Sequence, residues 1–382
     1  MPSTIRTLLV VLAFAAPCRA AGAAVSPADV ARAVTMVFAG VPGVVGGAIN
    51  DVAGDVNADG RADAADVVGA LLGRRNPTQP GPWPVGFRHV SFTKKSVSHP
   101  GEDRVLNTAI WYPTTADATG TDHYGGIDNA PLAGSGHPLL MFSHGSCGYA
   151  EQSIFLTALV ASYGFIVAAP PHPGNTIADL LTEPGCGSDA AQADSFLDRA
   201  PDIEFVIDTL LQLNADPASF LYDGIDPTRI GMSGHSFGGW TTLRVCAEDA
   251  HVIAGLALAP AAFMIEDQVR SITIPMTVQA GLDDATLDFT TNAQGTYDLL
   301  HTPRTLVAFA HTGHYAFSDK CFPGNRDCGP GELSQAQAHL YVQRYALPFL
   351  LQRVAGDHQF DAFLDPTRTP PGVTLTSDLG ME

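Results

Sequence analysis

The sequence predicts a doubly wound α/β domain in which most strands run parallel. Short apolar runs alternate with helix-like blocks along residues 139–310, and an antiparallel pair precedes them at 90–97 and 106–112. The strand-like runs lie at 139–143, 165–169, 229–233, 253–259, 276–280 and 306–310, and the helix-like blocks at 154–163, 202–213 and 241–248. A parallel sheet covered by helices on both faces requires such strands, because neither face of a strand then meets water.

The chain is predicted to have four parts. Residues 1–23 are typical of a secretory signal, since Arg6 precedes an apolar run and Ala21-Gly22-Ala23 forms a cleavage pattern. That run is too short to span a bilayer, so we expect a secreted or periplasmic protein. The other parts are a small segment with a metal motif at 24–72, a Pro/Gly linker at 73–86 and a catalytic domain at 87–382.

Composition limits the function. Hydrophobic residues make up 46% of the chain, which is too apolar for a disordered protein. The formal net charge of −19 argues against binding to nucleic acid or anionic membranes, because both need clustered Lys and Arg. Five of the six cysteines follow the signal, and an odd number leaves at least one thiol unpaired. Cys321 and Cys328 flank a turn and are placed for a local bridge, Cys246 is placed for a buried thiol, and the pairing stays open.

The strongest chemical signal is the segment 234–239 (Gly-His-Ser-Phe-Gly-Gly), which follows a predicted strand and precedes a predicted helix. A G-x-S-x-G turn in this position lifts the serine hydroxyl above the sheet, and its glycines leave room for the sharp bend. The start of the helix also directs N–H groups toward developing negative charge. This pattern predicts Ser236 as a catalytic nucleophile.

A nucleophilic serine needs a base, and the base needs an orienting carboxylate. In this type of sheet the acid and then the base should follow the serine, each just after a later strand. Asp284 follows the run 276–280 and His314 follows the run 306–310, so we predict them as acid and base. Asp283 and Asp288 are alternatives for the acid, and His311 is an alternative for the base.

An oxyanion formed during catalysis needs two backbone donors. We predict one at Phe237, directly after the nucleophile, and the other at Ser146, in the loop after the first parallel strand. His144 precedes the serine by a long stretch of chain, so we interpret it as shaping that loop rather than acting as the base.

Several motifs along the chain belong together. They are Arg104 with Trp-Tyr-Pro-Thr at 111–114, Phe-Ser-His-Gly at 142–145, residues 161–170, His-Pro-Gly-Asn-Thr at 172–176, residues 234–239 and Gly-His-Tyr-Ala-Phe at 313–317. As a set they resemble the platelet-activating-factor acetylhydrolase-like and dienelactone-hydrolase-like α/β hydrolases. The similarity covers most of residues 87–350. It implies the α/β-hydrolase fold, Ser236, Asp284 and His314 as the triad, and Ser146 and Phe237 as oxyanion donors.

The resemblance also bears on the chemistry. Dienelactone hydrolases place a cysteine where this chain has Ser236, which favours the acetylhydrolase and esterase branch, and the wider group includes cutinase-like polyester hydrolases. The segment 199–202 (Arg-Ala-Pro-Asp) matches a family pattern, and its alternative interpretation is a helix cap.

Residues 55–66 carry oxygen ligands at the spacing of a calcium loop, with Gly60 at the sharp turn. The predicted ligands are Asp55, Asn57, Asp59, the carbonyl of Arg61, Asp63 and Asp66. The loop resembles a type I dockerin repeat, which implies a cohesin-like partner. Only one loop is present where a dockerin has two, so a calcium-stabilised spacer or a surface-attachment module is an equal alternative.

The sequence therefore predicts a secreted serine carboxylic-ester hydrolase, acting on small-molecule or lipid esters through an acyl-enzyme and without a cofactor for catalysis. A cutinase-like polyester hydrolase is one alternative. A non-catalytic adhesion or scaffold protein is another, and the complete set of serine, aspartate and histidine argues against it.

Overall fold

The computed structural model describes Ala58, residues 75–321, Asp327 and residues 333–379. The predicted signal at 1–23 therefore lies outside the described residues. The same holds for the predicted calcium ligands, namely Asp55, Asn57, Asp59, Arg61, Asp63 and Asp66. Within the described ranges, no helix is both long enough and apolar enough to cross a membrane.

Eleven strands of the described chain form one sheet. They are β1 (Val85–Lys95), β2 (Asp103–Pro113), β3 (Asp122–His123), β4 (Gly126–Asp128), β5 (His137–Ser143), β6 (Ile166–Ala169), β7 (Ile225–His235), β8 (Val252–Leu258), β9 (Met276–Gly281), β10 (Arg304–Phe309) and β11 (Val373–Asp378). Their order across the sheet is β11-β10-β9-β8-β7-β5-β6-β2-β1-β4-β3. Strands β5 to β10 pair in parallel, whereas β1 with β2, β2 with β6, and β10 with β11 pair antiparallel. The predicted mostly parallel sheet with an antiparallel start is confirmed.

Helices cover both faces of this sheet. They are α1 (Ile154–Ser162), α2 (Asp189–Ala215), α3 (Phe237–Glu248), α4 (Glu266–Ser271), α5 (Gly295–Leu299) and α6 (Gln335–Leu350). Helices α1 and α6 pack with Leu140 and Phe142 of β5 in one core. Helices α2 to α5 pack with Leu139 and Met141 of the same strand in the other. Because successive strand residues point to opposite faces, both faces of β5 are apolar, and this explains its continuous apolar run.

The parallel strands bring the predicted site residues to one edge. Strands β5, β7, β9 and β10 all end at the carboxyl edge of the sheet, and the loops that leave this edge contain Ser146, Ser236, Asp284 and His314. Residues that are far apart along the chain can therefore share one site, as this class of sheet usually arranges.

Two local predictions need correction. Strand β1 begins at Val85, inside the predicted linker, and the chain before it lies against the end of α1: the Trp83 and Gly81 amides donate to the carbonyl and the hydroxyl of Ser162 (3.0 and 2.7 Å). A proline-rich stretch can dock in this way because it is extended and leaves few N–H groups to satisfy. The segment 199–202 is not a helix cap, because α2 begins at Asp189 with Ser188 as its N-cap.

Candidate active site

Ser236 occupies the sharp turn between β7 and α3. Its backbone has φ +59° and ψ −116°, a conformation that costs a non-glycine residue about 1–3 kcal/mol. The flanking glycines are required by close packing. A Cβ on Gly234 would lie 2.3 Å from the carbonyl oxygen of Gly238, and a Cβ on Gly238 would lie 1.8 Å from the carbonyl oxygen of Ser143.

The structure brings Asp284 and His314 together. Nδ1 of His314 lies 2.7 Å from Oδ2 of Asp284, and the two side chains are only 3% and 2% exposed. The other carboxylate oxygen, Oδ1, accepts hydrogen bonds from the amides of Thr286 (2.9 Å) and Leu287 (2.7 Å). These bonds fix the carboxylate in the loop after β9, with one oxygen aimed at the imidazole.

The alternative acid and base residues lie at the surface. Asp283 and His311 approach each other at 3.8 Å, with side chains 50% and 74% exposed. Asp288 uses its carboxylate to accept from the amide and hydroxyl of Thr291 in its own turn (2.8 and 2.7 Å). None of these three residues lines the cleft that holds Ser236.

Ser236 and His314 line one cleft with a volume of about 230 Å³. The loop 145–148 forms one wall, and the short 3₁₀ helix Ile177–Leu181 forms another. The side chains that give the cleft its chemical character are Tyr149, Ile177, Leu180, Tyr315 and Lys320. A carbonyl group bound there would lie between a hydroxyl, an imidazole and an apolar wall.

Both predicted oxyanion donors lie on segments that border this cleft. Phe237 is the first residue of α3, so its amide has no acceptor within the helix. The loop that carries Ser146 is close to the nucleophile, since a Cβ on Gly145 would lie 3.3 Å from Cβ of Ser236. Within the part of the chain that the structure describes, neither the Ser146 nor the Phe237 amide donates a hydrogen bond. The oxyanion role of these two amides stays a prediction.

Comparisons with known proteins identify the reaction class. A family model described as PET hydrolase-like matches residues 187–365. The chain is 25% identical to the platelet-activating factor acetylhydrolase of Cavia porcellus, over 75% of this chain and 79% of that protein. It is 26% identical to the cutinase est2 of Thermobifida alba, over 49% of this chain and 56% of that protein. The chain is a carboxylic-ester hydrolase.

A solved structure supports the fold of this hydrolase. The ferulic acid esterase from Streptomyces cinnamoneus is similar with a TM-score of 0.59 and 21% identity, over 78% of the hydrolase and 98% of that chain. At this identity the likeness concerns the fold, and it agrees with the α/β-hydrolase fold that the sequence predicted. None of these relatives favours the alternative of an inert adhesion or scaffold protein.

A buried polar link that the sequence did not reveal connects the two sides of the hydrolase site. Nε2 of Gln152 lies 2.7 Å from Nδ1 of His235, and Oε1 accepts from the amide of Gly145 at 2.9 Å. Because the Gln152 amide donates to Nδ1, His235 carries its proton on Nε2 and donates to the carbonyl of His314 (3.0 Å). Burial and the nearby His314 lower the pKa of His235 well below its usual value, which keeps the ring neutral. Gln152 and the neutral His235 together thus connect the loop 145–148 to the backbone of the predicted base.

The cysteines, whose pairing the sequence left open, are now resolved in part. Cys147 and Cys186 form a disulfide that ties the loop 145–148 to the segment preceding α2. Cys321 is also disulfide-bonded. Cys246 is a buried free thiol, as the sequence indicated, and burial raises its pKa well above the usual value.

The described part of the hydrolase contains no group of three or more His, Cys, Asp or Glu side chains arranged to hold a metal ion. The predicted calcium loop lies outside that part.

Proposed function

We propose that the hydrolase cleaves carboxylic esters through an acyl-enzyme on Ser236, with His314 as base and Asp284 as its orienting acid. The observation that supports this is the 2.7 Å contact between Asp284 and His314, together with the fact that His314 lines the same cleft as Ser236. The carboxylate of Asp284 accepts a hydrogen bond from the protonated Nδ1 of His314. Nε2 is therefore the basic nitrogen and is available to the serine hydroxyl.

The steps follow from these positions. Oγ of Ser236 attacks the ester carbonyl carbon, and Nε2 of His314 takes the hydroxyl proton. The amides of Ser146 and Phe237 donate to the oxyanion of the tetrahedral intermediate. Collapse breaks the ester bond, and the leaving alkoxide takes its proton from the imidazolium. A water molecule that is deprotonated by His314 then adds to the acyl group. Collapse of this second intermediate breaks the bond to Oγ of Ser236 and releases the carboxylic acid, while the imidazolium returns its proton to Oγ.

The cleft supports short-acyl esters as substrates, including phospholipid esters. Its volume of about 230 Å³ lies below the ~300–1,000 Å³ of typical sites for drug-sized ligands, so it suits a small acyl group. Ile177, Leu180 and Tyr149 give it apolar walls. Nζ of Lys320 stands 5.2 Å from the centre of the Tyr149 ring at the edge of the cleft. An ammonium group there suits the phosphate of a phospholipid whose ester bond lies at Ser236.

Reversing the charge at Lys320 tests this substrate class. Lys320→Glu is expected to lower kcat/KM for a phospholipid with a short sn-2 acyl chain about tenfold, the worth of one charge-assisted contact. Turnover of uncharged p-nitrophenyl acetate should stay near the wild-type rate. Lys95→Glu is the matched control, because Lys95 is exposed and does not line the cleft. An equal effect on both substrates would argue against phosphate recognition at this position.

A polyester hydrolase is the second candidate. The PET hydrolase-like family model and the cutinase relative favour it. So do exposed apolar side chains beside the cleft: Leu180 is 57% and Leu181 is 95% exposed, and such side chains suit contact with a polymer surface. Release of acid from a polyester film at a rate that exceeds phospholipid hydrolysis would decide for this candidate.

For the N-terminal part we propose export through residues 1–23 and calcium binding by residues 55–66, joined to the catalytic domain by the proline-rich stretch. The support is the sequence pattern of oxygen ligands around Gly60. On the dockerin resemblance, such a segment would attach the hydrolase to a cohesin-like or other surface partner.

Calcium removal should affect the N-terminal part and leave the activity of the catalytic domain unchanged. Calorimetric titration of the chain with calcium is expected to give heat of binding, while EDTA should leave ester turnover near its starting value, because the catalytic residues need no metal. Absence of heat at millimolar calcium would contradict the binding site. Activity lost with EDTA and restored by calcium would contradict the independence of the two parts.

A further inference from the structure

Arg199 lies inside α2 with its side chain fully buried under the active-site loops. Burial lowers its pKa to about 9, so the guanidinium remains charged at neutral pH. A buried cation destabilises a fold unless its donors are bonded, and here each nitrogen has an acceptor. Nη2 donates to the carbonyl of His144 and to Oγ of Ser143 (3.1 Å), Nη1 to Oδ1 of Asn175 (2.8 Å) and Nε to Oγ1 of Thr241 (3.0 Å).

Three of these four acceptors come from the two segments that carry the proposed oxyanion donors, and the fourth, Asn175, lies in the loop after β6. The carbonyl of His144 belongs to the loop that leads to Ser146, while Thr241 lies in the first turns of α3, which begins with Phe237. The guanidinium carbon also stands 4.7 Å from the centre of the Phe237 ring. Asn175 extends the contact, because its Nδ2 donates to Oγ of Ser146 (3.3 Å). A single side chain therefore touches both halves of the oxyanion site from below.

A buried carboxylate, that of Asp202, also supports the end of β5, and it does so through His172. Arg104 donates from Nε to Oδ1 of Asp202 and from Nη2 to Oδ2, both at 2.9 Å. Oδ2 of Asp202 also lies 3.0 Å from Nδ1 of His172. Nε2 of His172 lies 2.9 Å from Oγ of Ser143, the same hydroxyl that Arg199 contacts. Burial, followed by the charge of Arg199, lowers the pKa of His172 well below its usual value. The neutral ring donates to Asp202 and accepts from Ser143, so the end of β5 is held by two independent groups.

We propose that Arg199 is a positioning residue that sets the separation of the Ser146 and Phe237 amides and thereby the geometry of the oxyanion site. The inference rests on the proposed function, because those amides matter only if a tetrahedral oxyanion forms on Ser236. Arg199 touches neither substrate nor Ser236, so its effect must act through the two segments that it joins. Preorganised donors contribute to the transition state and little to binding of the ground state, so a displaced donor lowers kcat more than it changes KM.

Arg199→Lys tests this role, because lysine keeps the charge but loses the planar fork that reaches both segments. We expect kcat for p-nitrophenyl acetate to fall about a hundredfold, as for loss of one oxyanion donor, with KM within about threefold of wild type. The inhibition constant of phenylboronic acid should rise by a similar factor. Oγ of Ser236 forms a bond to the boron while His314 takes the hydroxyl proton. In the resulting tetrahedral adduct, a boron-bound oxygen occupies the oxyanion position.

Arg344→Lys is the matched control, because Arg344 is equally buried but lies on α6, against the opposite face of the sheet. It should lower the melting temperature while leaving kcat and boronate affinity near wild type. If Arg199→Lys keeps kcat and boronate affinity, or raises KM alone, the positioning role is wrong. If Ser236→Ala still turns over ester or binds the boronate as wild type does, the proposed function fails instead.

Smaller changes keep the inference testable if Arg199→Lys does not fold. Asn175→Ala removes one acceptor of Arg199 together with the contact to Ser146, and Thr241→Val removes the acceptor on α3. Each is expected to lower kcat and boronate affinity together, by about tenfold, the worth of one hydrogen bond to a charged group. Unchanged kcat in both variants would overturn the inference.

Discussion

Replacing Ser236 by alanine is expected to lower kcat for p-nitrophenyl acetate about 10⁴-fold or more, because triad members act as a unit and the acyl-enzyme cannot form without the hydroxyl. Alanine has the same backbone limits as serine at the positive φ of this turn, so the change removes the nucleophile without adding strain. Initial rates at saturating substrate measure the effect.

The variant should keep its fold. Its far-ultraviolet circular dichroism and its unfolding midpoint in urea are the controls, and both are expected to match wild type. Retention of more than a tenth of the wild-type rate in a folded Ser236→Ala protein would show that another group performs the attack.

Substitution of the proposed acid or base is expected to give the second large loss of kcat. Asp284→Asn is expected to lower kcat about 10⁴-fold, and His314→Ala by a similar factor. An asparagine can keep the bonds from the Thr286 and Leu287 amides on its oxygen. Its NH₂ group would then face Nδ1 of His314, which favours the wrong tautomer and leaves the imidazolium without a counter-charge.

The surface alternatives supply matched controls for this prediction. Asp283→Asn and His311→Ala make the same chemical changes at a second pair of aspartate and histidine, whose side chains lie 3.8 Å apart. Unlike Asp284 and His314, both of these side chains are exposed. Both variants are expected to keep most of the wild-type kcat. A dead Asp283→Asn beside an active Asp284→Asn would move the acid by one position along the chain.

The sequence was sufficient to place the residues at strand ends. The runs before Ser236, Asp284 and His314 are apolar because their strands are buried on both faces, and parallel strands carry such residues to one edge. The choice of Asp284 over Asp283, however, depends on the direction of the side chain after β9. The structure buries the one and exposes the other.

The buried links could not be predicted, since no periodic pattern marks them. Gln152 and His235 are 83 positions apart, and Arg199 is 55 positions from His144. The segment 199–202 had a helix cap as its alternative interpretation, whereas α2 continues through Pro201.

The N-terminus of helix α6 has a signature in the sequence. Ser334 and Gln337 form a capping box at its start, and the pattern S-x-x-Q before an apolar stretch indicates a helix N-terminus. Strand β11 follows short 3₁₀ turns and alternates buried with exposed residues only over its first part, so its period was too brief to stand out.

Labelling with diethyl p-nitrophenyl phosphate, followed by peptide mass spectrometry, identifies the nucleophile directly. We expect one diethylphosphoryl group to be transferred to Oγ of Ser236 with release of p-nitrophenolate. Activity should be lost in step with labelling, and Ser236→Ala should take up no label. Complete inactivation with the label on a different residue, or with none on the peptide that contains Ser236, would contradict the assignment of Ser236 as the nucleophile.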